Sequence, residues 1–78
     1  MNMISTMQFS TEKFKDIFGE NLRRTISEKG ITMEEFAEMM DVSVRVVYDW
    51  CNGIKSPKFE RAIAIALVLE VSLDSLVF

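Results

Sequence analysis

From Phe14 onward the apolar residues recur at three- and four-residue steps: Phe14, Ile17, Phe18, Leu22 and Ile26. That spacing predicts a helix with one buried face. Ser10 stands ahead of it as a cap, and Glu12 falls in the first turn, where the helix dipole favours negative charge. Lys29 and Gly30 end it, a cation in the last turn followed by a glycine able to turn left-handed. Thr32-Met33-Glu34-Glu35 then spells a capping box, and Phe36, Ala37 and Met40 form the inward face of a short second helix. Asp41-Val42-Ser43 leaves room only for a tight turn. Ser43 caps a third helix with Val47 and Trp50 pointing inward, closed by Asn52-Gly53. Ser56-Pro57 predicts the next start, serine at the cap and proline at the first helical position, with Phe59, Ala62, Ile63, Ala66 and Leu69 as core stripe. Glu70-Val71 interrupts that helix, and Ser72 caps a last turn or two holding Leu73, Leu76 and Val77. No strand alternation, repeat or low-complexity tract competes. The pattern predicts an all-α fold, a compact five-helix domain over residues 10–78, behind an uncharged N-terminal arm of residues 1–9.

Composition narrows the chemistry. A chain of 78 residues makes one small domain, which must hold itself together by packing or by covalent or metal staples. With one cysteine and no histidine, neither an intrachain disulfide nor an ordinary zinc site can form. The 49% of hydrophobic residues therefore carry the fold. No cofactor motif, small-molecule site or enzyme chemistry is evident: no nucleophile is flanked by a general base, and no glycine-rich loop could cradle a phosphate. The longest apolar run, Ala62 to Leu69, is too short to span a bilayer. A lone thiol and the lack of a signal peptide fit a reducing, cytoplasmic setting. The net charge of −3 argues against nucleic acid, yet its distribution matters more than its total. Glu34, Glu35, Glu38 and Asp41 cluster on one side of the sequence motif, while Arg45, Lys55, Lys58 and Arg61 form a basic neighbourhood on the other.

The informative unit runs from Gly30 to Gly53: two helices of about two turns joined by a very short turn, the helix-turn-helix arrangement. Its spacing suits DNA, because the first helix can cross the backbone while the second lies in a major groove about 12 Å wide. Ala37 stands where the two helices come close, and Val42 and Val47 lock their angle.

The stretch Ile31-Thr32-Met33-Glu34-Glu35-Phe36-Ala37-Glu38-Met39-Met40-Asp41-Val42-Ser43, followed by Asn52-Gly53, Ser56-Pro57 and Leu69-Glu70-Val71-Ser72-Leu73-Asp74-Ser75-Leu76, resembles the XRE (Cro/cI phage-repressor-like) helix-turn-helix family. The resemblance covers roughly residues 17–77. It implies a lambda-repressor-like domain that binds double-stranded operator DNA as a two-fold homodimer, a repressor of the kind phages and mobile elements carry. Its recognition helix would be Ser43–Cys51. It further implies DNA contacts at Thr32, Met33, Ser43, Val44, Arg45, Tyr48, Asp49, Lys55, Ser56 and Lys58. Ser43 would meet a phosphate, Arg45 would read guanine, Val44 would pack on a thymine methyl, and Asp49 would accept from cytosine N4. Lys55, Ser56 and Lys58 would hold the backbone.

The chain departs from the family at two places. Met33 stands where a phosphate-gripping glutamine is common, and Ile26 and Cys51 replace an arginine and a glutamate that often pair inside the domain. The shared fold then makes Ile26 and Cys51 buried neighbours. Ala64, Leu67 and Val68 add apolar surface beyond what the fourth helix buries, and Leu76-Val77-Phe78 follow at the last helix. A dimer interface is accordingly expected at Leu67, Val68, Val77 and Phe78. The competing function is a protein-interaction module on the same scaffold that has lost DNA binding, favoured by Met33, Asp49 and the acidic total.

Overall fold

Three of the described helices start where a side-chain oxygen takes up a free backbone amide. The structure, a computed structural model, describes residues 11–78. The expected arm over residues 1–9, the Ser10 cap and the side chain of Glu12 lie outside the described residues. Among the described residues five helices follow in order: α1 Thr11–Glu28, α2 Met33–Met40, α3 Val44–Cys51, α4 Phe59–Leu69 and α5 Leu73–Val77. At α2 the capping box is complete. The Thr32 hydroxyl accepts from the Glu35 amide at 3.0 Å, and the Glu35 carboxylate accepts from the Thr32 amide at 2.8 Å. Ser43 and Ser72 cap α3 and α5 in the same way, accepting from Val46 and Ser75, each at 3.3 Å.

Two expectations about helix ends are corrected. The helix α4 begins at Phe59 behind Lys58, without a side-chain cap, two residues later than Ser56-Pro57 predicts. Residues 55–58 have no regular structure, and Lys58, extended at φ −68° and ψ 162°, takes the cap position expected of Ser56. The helix α1 ends at Glu28 with no basic residue in its last turn, so Lys29 belongs to the turn that follows. Gly30 does adopt the left-handed conformation there, at φ 73°. The corners after α2 and α4 do so without glycine, at Asp41 (φ 58°) and Glu70 (φ 59°).

The core draws on every described helix: Phe18, Leu22 and Ile26 of α1, Phe36, Ala37 and Met40 of α2, Val47, Trp50 and Cys51 of α3, Ile65, Ala66 and Leu69 of α4, and Leu76 of α5. Phe14 and Ile17 are only half-buried, Phe14 stacking on Phe18 with centroids 6.0 Å apart. The core face of α4 differs from the predicted one. Phe59 is 70% exposed and Ile63 lies outward with it, whereas Ile65 is fully buried. The helix is apolar nearly all round, so its three-to-four spacing is satisfied by more than one face; packing against α2 and α5 selects Ile65, Ala66 and Leu69.

The long helix α1 packs on both α3 and α5. Toward α5, the buried Asn21 side chain donates to the Leu76 carbonyl at 2.9 Å and accepts from Arg24 at 2.8 Å. Thr25 donates to the Asn21 carbonyl at 2.7 Å, so these buried polar groups are satisfied. Toward α3 the backbones come closest at Gly19. A Cβ there would lie 2.6 Å from the Cys51 carbonyl oxygen and 2.7 Å from that of Trp50. Only glycine fits this crossing.

Candidate nucleic-acid interface

Residues 41–43 form the corner that sets the angle between α2 and α3. Left-handed Asp41 lets its amide donate to Glu38 at 3.1 Å, and the Val42 amide reaches the Ala37 carbonyl at 3.0 Å. Ala37 is buried at this contact and Val47 is completely buried behind it. Val42 is half-buried against the same core. The expected roles of these three residues in joining the helices are what the packing displays.

The corner leaves α3 with an inner face of Val47, Trp50 and Cys51 and an outer face on which Arg45 and Tyr48 are exposed. Ser43 is exposed at its start, its hydroxyl engaged with the Val46 amide. Val44 is half-buried and packs against the core, as does Met33 at the start of α2. Thr32 is exposed, with both amide and hydroxyl committed to the capping box. Lys55, Ser56 and Lys58 are all exposed on the segment between α3 and α4. Ser43, Val44, Arg45, Tyr48 and Asp49 thus lie on α3 and its cap, Lys55, Ser56 and Lys58 on the segment that follows, and Thr32 and Met33 at the start of α2, with Met33 and Val44 partly packed against the core.

Two charged residues have other attachments than their position in sequence suggests. Asp49 turns to Lys55, carboxylate to ammonium at 3.8 Å, with the Asp49 side chain 15% exposed and that of Lys55 66%. The Asp49 carbonyl also receives the amides of Ile54 and Lys55, at 2.9 and 3.2 Å. Arg61 donates to the Met40 carbonyl at 3.2 Å, which tethers its guanidinium to the end of α2 while the residue stays exposed and charged beside Lys58.

Sequence reasoning passed over Arg23. It is exposed on α1 and donates to the Asn52 side chain at 2.5 Å, tying the end of α3 to α1. It lies one helical turn before Ile26, and Asn52 is the residue after Cys51, so pairing those two core positions also points to this bond. Beneath it, burial pushes the Cys51 thiol above its ordinary range, and the Arg23 charge offsets part of the rise. Cys51 is inside, as a small apolar residue would be. Among the described residues no group of cysteine, aspartate and glutamate could hold a metal ion, and no helix is long and apolar enough to cross a membrane.

The helix-turn-helix family model matches residues 21–76. No curated protein matches the chain. Among solved structures, the solution structure of the SOS-response transcriptional repressor LexA from Eubacterium rectale is similar. It is 32% identical with a TM-score of 0.79, over 85% of this chain and 70% of that one.

Proposed function

Because this chain belongs to the helix-turn-helix family, we propose that it is a sequence-specific DNA-binding transcriptional regulator of repressor type, not an enzyme. It acts in the cytoplasm on double-stranded DNA. Residues 10–78 form the DNA-binding domain and residues 1–9 its arm. One observation carries this most directly: α3 leaves the corner capped by Ser43, with Arg45 in its first turn and Tyr48 exposed beyond it. An arginine so placed on a helix that enters the major groove is suited to bidentate recognition of guanine. Lys55, Ser56 and Lys58 serve the phosphate backbone.

Duplex binding should weaken as salt rises, shallowly, because few cations are free on this face. About three to four phosphate contacts per subunit give a log–log slope near −3. Arg45→Ala should remove discrimination at one base pair, a loss of about 1–3 kcal/mol confined to duplexes that carry that pair. Fluorescence anisotropy on a cognate duplex and its single-pair variants measures both. Absence of binding to any duplex at low salt would overturn the proposal and leave the protein-interaction module in its place.

The functional unit is a homodimer. Phe59, Ile63 and Leu67 follow one another at four-residue steps along α4 and all face outward, with Leu67 72% exposed, an apolar stripe where a solitary domain would carry charge. Phe78, 90% exposed, extends the apolar surface past α5, while half-buried Val68 and Val77 pack largely against their own core and rim the interface. A two-fold axis through α4 would set two recognition helices about 34 Å apart, one DNA turn. Leu67→Glu should then yield monomers and sharply weaker binding to a palindromic operator. A wild-type protein that sediments as a monomer at high micromolar concentration would contradict the dimer.

A further inference from the structure

The recognition helix holds one carboxylate, Asp49, one turn beyond Arg45. On a helix meant for DNA it is the charge most in need of an explanation. A base-reading aspartate should stand free toward the groove. Asp49 instead is largely covered and aims its carboxylate at Lys55, 3.8 Å away, while Arg45, four residues back on the same helix, makes no ion pair among the described residues. The backbone reinforces this pairing independently of the side chains: the Asp49 carbonyl takes the amides of both Ile54 and Lys55. Gly53, left-handed at φ 72°, makes the turn that returns the chain to it.

We propose that Asp49 is a positioning residue that acts on DNA through Lys55, holding the lysine's charge as an internal counterion, and does not read a base. This inference rests on the DNA-binding function proposed above. Asp49 competes with phosphate for the same ammonium group. An ion pair this long, with one partner mostly in solvent, is weak, so a phosphate can displace it. When it does, Asp49 is left unpaired in the negative potential of the duplex. Arg45, Lys55, Lys58 and Arg61 are the cations of this neighbourhood, Arg61 being tethered to the Met40 carbonyl. Restraining one of these few lowers affinity for duplexes of every sequence. Asp49 thereby sets how strongly the protein binds, and the base preference belongs to Arg45.

The test compares wild type, Asp49→Asn, Asp49→Ser, Lys55→Met and Asp49→Asn/Lys55→Met for binding to random-sequence and selected duplexes across a salt series. Thermal unfolding checks that each variant is folded; the serine variant covers a failure of the isosteric one. Asp49→Asn should bind all duplexes roughly three- to fivefold more tightly at low salt. Its salt slope should steepen by up to about 0.9 per subunit, the value of one whole phosphate contact, as Lys55 passes from sharing its charge with Asp49 to full engagement with the backbone. In the Lys55→Met background the gain should fall below about twofold, the residual effect of removing a distant charge, and the slope should not move. Selection from a randomised duplex pool should return the same consensus for wild type and Asp49→Asn. A changed consensus would make Asp49 a base reader, and a full gain without Lys55 would make its charge merely repulsive; either result overturns the proposal, as does an Asp49→Asn protein with no gain. If wild type binds no duplex, the proposed function falls and this inference with it; binding by wild type with any of the other adverse results removes the inference alone.

Discussion

Gly19→Ala should destabilise the domain by about 2 kcal/mol net, although helix propensity alone predicts the opposite sign. Glycine inside a helix is about 1 kcal/mol worse than alanine, and α1 runs on for nine residues past Gly19, to Glu28. Against that gain stands a methyl group 2.6–2.7 Å from two carbonyl oxygens of α3. Those oxygens belong to main chain and cannot rotate aside, so α1 and α3 must separate. Overpacking of this kind typically costs about 1–3 kcal/mol, occasionally more, and here it falls at the high end because the crossing also seats the recognition helix. Gly19→Val adds bulk and β-branching, and should leave little folded protein in a domain whose total stability is of the order of 5 kcal/mol. Urea unfolding of the alanine variant decides the matter. A variant as stable as wild type, or more so, would mean that the two helices do not approach as described.

Ile26→Arg should be the most damaging single substitution after Gly19→Val, at roughly 3–5 kcal/mol, because it places an unpaired cation in a closed apolar core. Ile26 and Cys51 are both buried in the cluster where α1 meets α3, where related chains often hold an arginine and a glutamate. Adding Cys51→Glu supplies the missing partner and should recover much of the loss, for a coupling energy well above 1 kcal/mol in a double-mutant cycle. The single Cys51→Glu variant should be less harmful than Ile26→Arg, since Arg23 already lies close enough to act on this position. Additive effects would show that the two side chains do not meet.

What the sequence disclosed and what it withheld divide along physical lines. Caps are local chemistry: Thr32 with Glu35, Ser43 and Ser72 each need an oxygen within three residues of an amide, and all three were legible. The same holds for the inward face of α3, where polar Arg45, Tyr48 and Asp49 leave Val47 and Trp50 a single direction to point. The helix α4 lacks that contrast. With alanine, isoleucine, leucine and valine on nearly every side, its period fits several faces, and the wrong one was predicted for Phe59, Ile63 and Ile65. Apart from the meeting of Ile26 and Cys51, which the family resemblance implies, contacts between distant segments left little mark. Nothing adjacent to Gly19 announces a crossing with Trp50 and Cys51, and nothing near Arg61 announces the Met40 carbonyl. Among the candidate contact residues, type and neighbourhood were legible from the motif. Exposure was not, which is why Met33 and Val44 prove half-buried and Asp49 proves paired.

The bond from Asn21 to the Leu76 carbonyl also sets a schedule. A ribosome adds about 5–20 residues per second, and α1 through α4 are synthesised before the carbonyl that Asn21 requires has been made. Until residue 76 clears the exit tunnel, the face of α1 that receives α5 has no cover. A nascent chain stalled or terminated ahead of Ser72 would hold a correctly capped helix-turn-helix on an open core, a species that cellular proteases remove. The interval between synthesis of the motif and its protection is a few seconds. Messages cut short in that interval should therefore yield degraded fragments in place of half-functional proteins competing for the same DNA.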